Sequence, residues 1–316
     1  MKWPTSVILI FILSFTNAQE KLSETLNYKD VTYKIKDTAQ QKLDIYLPQK
    51  TNKKSPVLVF VHGGGWAQGD KELRDDYYLS DFVLRFVKQG YAMVSINYTL
   101  LNEKTHFPTP IEDTKEAIRW IRANAEIYNF DSDNIGIWGA SAGSQIGMIA
   151  AYTDDSQFSE NTKFPNYSAK VNYFIDYFGP SDMNKLFRTE APGFVIFIFK
   201  LIFPKIYDIR NKLVFGFTGY DVKEEKDDAI NLLNVYSPIT YVSNSSVPTL
   251  MIHGTKDKIV PYSQSEILKE SLDKNNVKNE LISIKKGDHG LNKDADHELM
   301  FEKTFNFVRE NTHANF

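Results

Sequence analysis

The sequence predicts an α/β protein in which a mostly parallel sheet of eight strands is flanked by helices. Short apolar runs rich in β-branched residues, typical of strands that are buried on both faces, alternate with stretches whose apolar residues recur every three or four positions. Strands that alternate with helices favour parallel pairing. The 316 residues contain no cysteine, so the core must stabilise the fold without disulfides, and a chain of this length is long enough to do so as one domain.

The elements follow in a regular order after an antiparallel start. Residues 31–35 and 43–47 alternate apolar and polar side chains, as half-buried strands do, and the residues between them, 37–41, supply a turn. Buried strands are predicted at 56–61, 91–96, around 135, at 173–178, 249–252 and 281–284. Helices are predicted before Gly90, at 110–125, from Ser141 onward, at 263–273 and at about 295–310.

The first eighteen residues have the pattern of a secretory signal. A basic start precedes an apolar run at 7–15, and small residues up to Ala18 provide a cleavage site. The run is too short to span a bilayer, and the alternative is a buried amphipathic helix. We therefore expect a secreted or periplasmic protein with one domain over 19–316. Without cysteine it cannot carry a lipid on a thiol, and we expect no stable membrane anchor.

The charge pattern narrows the range of partners. A net charge of -3, spread without blocks, argues against a nucleic-acid partner, which would call for a basic face. No His-Glu-x-x-His or similar pattern indicates a metal site. The sequence leaves the oligomeric state open.

One segment, at about 185–235, does not fit the alternation of strands and helices. It contains an apolar and aromatic run, 193–203, bounded by Pro192 and Pro204 and too short to cross a membrane. Two interpretations are equally supported: a cap inserted over the edge of the sheet where ligands bind, or an ordinary core helix.

A Gly-x-Ser-x-Gly turn follows the strand around 135. Such a turn holds the serine in a strained backbone conformation at the tip, and Gly139 and Gly143 remove side chains that would collide there. The helix that starts behind Ser141 points free N–H groups at an oxyanion forming beside the hydroxyl. Ser141 is therefore the candidate nucleophile. The alternative is a glycine-rich turn with a capping serine.

A serine nucleophile needs a base and a carboxylate that orients the base. Elimination among six histidines leaves His289, which lies between Asp288 and Gly290 in the turn before the last helix, although a solvated turn histidine is the alternative. Asp257 follows the strand just before the one that leads to His289, so the two side chains can meet. Asp182, after the preceding strand, is the second candidate.

The glycine run after the strand at 56–61 suits an oxyanion hole, since backbone N–H groups can approach a carbonyl there without side chains intervening. We assign the N–H groups of Gly64, Gly65 and Ala142 to that hole, and the flanking His62 and Trp66 to substrate binding. A phosphate-binding loop is a weak alternative, because the Lys-Ser or Lys-Thr of a P-loop is missing.

Together these motifs resemble those of α/β-hydrolase esterases close to bacterial feruloyl and acetylxylan esterases and to the hormone-sensitive-lipase group. The similarity extends from about 42 to 308. The motifs that carry it are His62-Gly63-Gly64-Gly65-Trp66, the stretch from Asp113 to Arg122, Gly136-Ile137-Trp138-Gly139-Ala140-Ser141-Ala142-Gly143, Tyr177-Phe178-Gly179-Pro180-Ser181-Asp182, and His253-Gly254-Thr255-Lys256-Asp257 with Val260-Pro261.

The resemblance implies an α/β-hydrolase fold and serine carboxylic-ester hydrolysis without a cofactor, with Ser141, Asp257 and His289 at the triad positions in the chain order of this fold. One residue departs from the family pattern. Ser144 stands where a second glycine is usual, and its hydroxymethyl group is expected to crowd the first helical turn against the sheet.

The resemblance further implies a small-molecule or polysaccharide ester as substrate, with acetyl and feruloyl groups as the leading acyl candidates. An enzyme for longer acyl chains is one alternative, motivated by the phenylalanine-rich segment at 193–203. A hydrolase fold that only binds its ligand is another. The same triad also cleaves amides.

Overall fold

An eight-stranded sheet runs through the computed structural model, which describes residues 21–36, 39–49, 53–160, 162–292 and 295–312. The predicted signal at 1–18, part of the first turn and His313 lie outside the described residues. The strands are β1 (Leu26–Lys36), β2 (Ala39–Tyr46), β3 (Ser55–Val61), β4 (Ala92–Ile96), β5 (Phe130–Ala140), β6 (Tyr173–Tyr177), β7 (Thr249–Gly254) and β8 (Asn279–Ile284).

The strand order is β1-β2-β4-β3-β5-β6-β7-β8. β1 pairs antiparallel with β2 and β2 antiparallel with β4, whereas every later pairing, from β3–β4 to β7–β8, is parallel. The predicted fold class is therefore confirmed. The strands of the first hairpin, β1 and β2, are longer than predicted. Their outer parts are solvent-exposed and carry polar residues in succession, so the alternation of apolar and polar residues does not extend over them.

Ten α-helices in the described ranges surround this sheet. They are α1 (Tyr78–Lys88), α2 (Thr109–Ala123), α3 (Ala125–Tyr128), α4 (Ala142–Tyr152), α5 (Met183–Phe187), α6 (Gly193–Ile202), α7 (Pro204–Thr218), α8 (Lys226–Val235), α9 (Ser263–Lys274) and α10 (His297–Asn311). None of these helices combines the length and the apolar composition that crossing a bilayer requires.

The two faces of the sheet bury separate apolar clusters. On one face Ile111 of α2, Ile146 of α4 and Leu268 of α9 belong to the same cluster. On the other face Trp138 of β5 packs edge-on against Phe60 and close to Phe82 of α1. β3 is buried at every position, which is why its sequence is continuously apolar from Pro56 onward.

The segment between β6 and β7 contains helices α5 to α8. Among them, α6 is the least like a core helix. None of its residues is buried, although they are almost all apolar. The core-helix interpretation of 193–203 is therefore wrong.

Candidate active site

The three predicted catalytic residues and the glycine loop lie on four strand connections at one edge of the sheet. Ser141 joins β5 to α4, Asp257 follows β7, His289 follows β8, and the glycine loop follows β3. All four strands are parallel, so these connections leave from their carboxyl ends, where ligands bind in open α/β sheets.

Ser141 occupies the strained turn. Its backbone has φ 53° and ψ -120°, a conformation that non-glycine residues rarely adopt. A Cβ at Gly139 would lie 2.4 Å from the Cα of Ser144, and a Cβ at Gly143 would lie 2.1 Å from the carbonyl oxygen of Val61. Both glycines are thus required, because the first turn of α4 packs directly against the ends of β5 and β3.

The structure brings Ser141, His289 and Asp257 into one chain of hydrogen bonds. The Oγ of Ser141 lies 3.0 Å from Nε2 of His289, and Nδ1 of His289 lies 2.7 Å from Oδ2 of Asp257. When Nδ1 donates its hydrogen to the carboxylate, Nε2 has a free lone pair that can accept the hydroxyl proton of Ser141.

Asp257 is held by more than His289. Its Oδ1 accepts hydrogen bonds from the N–H groups of Ile259 and Val260, at 2.8 and 3.0 Å, and its Oδ2 also accepts from Nε2 of His253 at 3.1 Å. Burial by itself would raise the pKa of Asp257, but the hydrogen bonds from His253 and His289 outweigh burial and hold the pKa well below its usual range. The carboxyl group of Asp257 is therefore ionised while His289 acts as the base.

His253 is fully buried at the end of β7, as a structural histidine would be. Its Nε2 lies 2.9 Å from the carbonyl oxygen of Val260 as well as 3.1 Å from Asp257, and both are acceptors, so Nε2 carries the hydrogen. The hydroxyl of Ser265 lies 2.7 Å from Nδ1 and donates to it. This second histidine on the carboxylate was not predicted, although its place four residues before Asp257 is visible in the sequence.

Two glycines let the loops that carry Asp257 and His289 approach each other. A Cβ at Gly254 would lie 2.3 Å from the carbonyl oxygen of Gly287, and the Cβ of a residue at position 287 would lie 3.1 Å from the Cα of Gly254. Lys256 N–H donates to the Gly287 carbonyl at 2.9 Å, which ties the loops together. Asp182, the second candidate for the acid, instead caps α5 by accepting a hydrogen bond from Lys185 N–H at 2.9 Å.

The glycine loop passes beside the serine. A Cβ at Gly63 would lie 3.3 Å from the Cβ of Ser141, whereas a Cβ at Gly65 would meet nothing within 4 Å, because Gly65 faces open space. Gly64 and Gly65 have φ of 118° and 59°, which favours glycine at both positions. Ala142, the third predicted oxyanion donor, is the first residue of α4. The loop therefore presents backbone beside Ser141, and the role of the three N–H groups stays a prediction.

The residues that flank the glycines are anchored in the protein. Trp66 is buried, and its indole Nε1 donates to Oε1 of Gln145 on α4 at 2.9 Å. His62 is buried with its ring stacked on Tyr98, and burial lowers the pKa of its imidazole. Both residues also line the cavity described next, and their role in substrate binding stays a prediction.

A cavity of about 1110 Å³ opens at Ser141 and His289. Its lining is mixed. Apolar lining residues from the segment between β6 and β7 include Phe199, Phe203 and Ile206, and polar lining residues from the stretch between β3 and α1 include Gln68, Asp70 and Arg74. The cavity therefore offers both apolar and polar groups to a ligand at Ser141.

Ser144 fits without crowding. Its hydroxyl donates to Oδ1 of Asp176 at 2.5 Å, and that oxygen also accepts from Gly179 N–H at 2.8 Å. Space for the side chain comes from Gly179, where an added Cβ would lie 2.4 Å from the Cβ of Ser144. The hydroxymethyl group of Ser144 is therefore accommodated by the carboxylate of Asp176 on β6 and by Gly179 just after that strand, contrary to the expected crowding.

The buried Asp176 makes stability depend on pH. Burial raises the pKa of Asp176 to about 6, against about 3.9 in an unfolded chain. The folded protein then binds the proton more tightly, so this group's stabilisation is complete below the unfolded pKa and is lost as the pH rises through the folded value. Asparagine does not ionise, so the Asp176→Asn variant does not lose stability in this way. We expect the difference in free energy of unfolding, variant minus wild type, to rise by up to roughly 3 kcal/mol between pH 4 and pH 7. Urea unfolding of both proteins across this range measures the difference, and parallel curves would contradict it.

The mixed sheet, the strained serine turn and the Ser–His–Asp hydrogen-bond chain place the protein in the class of α/β-hydrolases. Within that class the chain belongs to the BD-FAE family, whose model matches residues 43–272. The resemblance predicted from the motifs is thereby confirmed.

Relatives with assigned names agree with this placement. Esterase LipC of Mycobacterium tuberculosis is 30% identical over 239 residues, which make up 75% of this chain and 53% of LipC. Esterase LipQ of the same organism is 29% identical over 222 residues, or 70% of this chain and 46% of LipQ. The chain thus spans about half the length of these curated relatives. Among solved structures, a truncated carbohydrate esterase from gut microbiota shares the fold with a TM-score of 0.72 at 24% identity, covering 90% of this chain and 95% of its own.

Proposed function

We propose that the protein is a serine carboxylic-ester hydrolase that works through an acyl-enzyme. The observation that carries this proposal is the hydrogen-bond chain from Ser141 through His289 to Asp257, at 3.0 and 2.7 Å, at the floor of an open cavity. The names of the curated relatives LipC and LipQ, both esterases, support the same reaction class.

The geometry accounts for both halves of such a reaction. Ser141 Oγ attacks the ester carbonyl while its proton moves to His289 Nε2, and the carbonyl electrons move onto the oxygen facing Gly64, Gly65 and Ala142. The bond to the alcohol oxygen then breaks, and the alcohol leaves with the proton from His289. Water attacks the acyl-enzyme in the second half, its proton passing to His289 and then to the departing Ser141 oxygen.

For the substrate we propose acetyl or feruloyl esters of polysaccharide, or other small esters. The polar lining residues Gln68, Asp70 and Arg74 offer hydrogen-bonding groups to a sugar hydroxyl. The structural likeness to a carbohydrate esterase is consistent with this choice. The apolar lining residues Phe199, Phe203 and Ile206 favour a second candidate, an esterase for longer acyl chains.

A substrate panel separates the two candidates. Acetylated and feruloylated oligosaccharides are compared with p-nitrophenyl acetate, butyrate and octanoate, using Ser141→Ala as the blank. Within the p-nitrophenyl series, where the leaving group is constant, we expect kcat/KM for acetate to exceed that for octanoate by about tenfold, a difference of about 1.4 kcal/mol, and we expect at least one oligosaccharide ester to be hydrolysed. A preference for octanoate would instead select the long-chain candidate, and no turnover of any ester would contradict the reaction class.

A further inference from the structure

The outer face of α6 is an apolar surface in contact with solvent. Phe194, Phe197 and Leu201, spaced by three and four residues, lie on one side of the helix and are 74%, 63% and 69% exposed. Ile198 and Ile202 extend this side and are also exposed. Single exposed apolar residues are common, but a contiguous group of five large ones marks a contact surface. We call these five side chains the α6 face.

The opposite side of the same helix belongs to the active-site cavity. Phe199, with Phe203 just after the helix, lines the cavity, and the guanidinium of Arg188 lies 5.7 Å from the ring centroid of Phe199. On α7, Ile206 and Ile209 are exposed and also line the cavity. Apolar side chains of α6 and α7 thus lie both on the α6 face and along the cavity that reaches Ser141.

Helices α6 and α7 together carry an excess of positive charge. Between residues 193 and 212 the chain has four cationic residues, Lys200, Lys205, Arg210 and Lys212, and a single acidic one, Asp208, whereas the whole chain has a net charge of -3. The three lysines are exposed. An apolar face beside lysines is the pattern of a helix that lies in a membrane interface, with its apolar side in the acyl region and its cations near anionic headgroups.

These observations favour a lipid surface over a second copy of the chain. A two-fold contact through the α6 face would set two surfaces with the same excess of positive charge against each other, which is unfavourable. Anionic headgroups instead complement them. A ten-residue helix is also too short to span a bilayer but can lie along its surface.

We propose that the α6 face docks the protein on an anionic lipid surface and places the cavity mouth against it. A ligand held in that surface would then meet the apolar lining residues Phe199, Phe203 and Ile206 on its way to Ser141. This inference concerns binding and holds whether or not the proposed ester hydrolysis is correct.

The test uses the full-length chain carrying Ser141→Ala, so that the vesicles are not hydrolysed. Sedimentation is measured with phosphatidylcholine vesicles, with and without phosphatidylglycerol. We expect binding to the anionic vesicles, a fall of at least tenfold in the partition coefficient when Phe194→Asp and Phe197→Asp are added, and a similar fall without phosphatidylglycerol. The matched control is Ile127→Asp, since Ile127 is 71% exposed on α3, at the opposite edge of the sheet.

Several outcomes would overturn the proposal. The first two are that the protein binds neither kind of vesicle, or that the parent and the Phe194/Phe197 variant bind equally well. The other two are that the Ile127 control loses as much binding as the Phe194/Phe197 variant, or that phosphatidylglycerol does not change the partition coefficient. Analytical ultracentrifugation adds one more: a dimer that the two aspartates dissolve, without vesicle binding, would assign the α6 face to a second copy. Thermal unfolding verifies that all variants are folded, which is expected because the replaced side chains are exposed. All variants share residues 1–20, so differences in binding report on α6.

Discussion

Replacing Ser141 with alanine is expected to lower kcat for p-nitrophenyl acetate by about 10⁶-fold, the effect of removing a triad serine in a well-studied protease. The variant keeps the glycine loop, His289 and Asp257 but has no atom that can form the acyl bond. Initial rates at saturating ester measure the loss.

The nearby Ser144→Ala is the matched control, because it removes a hydroxyl from the same helix without touching His289. We expect its kcat to stay within about tenfold of wild type, as the change costs one buried hydrogen bond. A fluorophosphonate should label the wild-type protein at Ser141 and leave Ser141→Ala unlabelled. Retained hydrolysis by Ser141→Ala would refute the nucleophile assignment, and an inactive, unlabelled wild type would favour a fold that only binds its ligand.

Asp257→Asn is expected to lower kcat by about 10⁴-fold, as the equivalent change does in the triad of another well-studied protease. Both carboxylate oxygens accept hydrogen bonds, Oδ1 from Ile259 and Val260 and Oδ2 from two histidines. An asparagine amide must turn its NH₂ group toward one of these sets of donors. If the NH₂ faces His289, the ring takes the tautomer with hydrogen on Nε2, which cannot accept the proton of Ser141.

Asp182→Asn serves as the control, since Asp182 was the second candidate for the acid. Asparagine is as good a helix cap as aspartate, so α5 should be preserved and kcat should change by less than about threefold. Measuring kcat and KM for both variants separates the candidates. A large loss in Asp182→Asn together with a small one in Asp257→Asn would reverse the assignment.

Local sequence signals were sufficient to predict the sheet and the proximity of Ser141, Asp257 and His289. Buried strands such as β3 must be continuously apolar, and the turn at Ser141 excludes side chains at Gly139 and Gly143, so each leaves a distinct pattern. Parallel strands also place their carboxyl ends at one edge, which brings residues from distant parts of the chain together.

Other features depend on packing partners that no local pattern reveals. Whether the apolar run at 193–203 is buried is decided by what covers it, and in this structure its outer side chains contact solvent. The fit of Ser144 depends on Gly179 and Asp176, which lie more than thirty positions further along the chain. The bond from His253 to Asp257 likewise depends on how the chain turns after β7.

The carboxylate of Asp257 has three donors besides His289: His253 and the N–H groups of Ile259 and Val260. It would therefore keep its position and its charge while the His289 ring was displaced, for example during entry of a bulky ester. To restore the hydrogen-bond chain, only the His289 ring then has to return, because its acceptor Asp257 has not moved. Each catalytic cycle therefore orders one side chain and not two, which lowers the loss of conformational entropy.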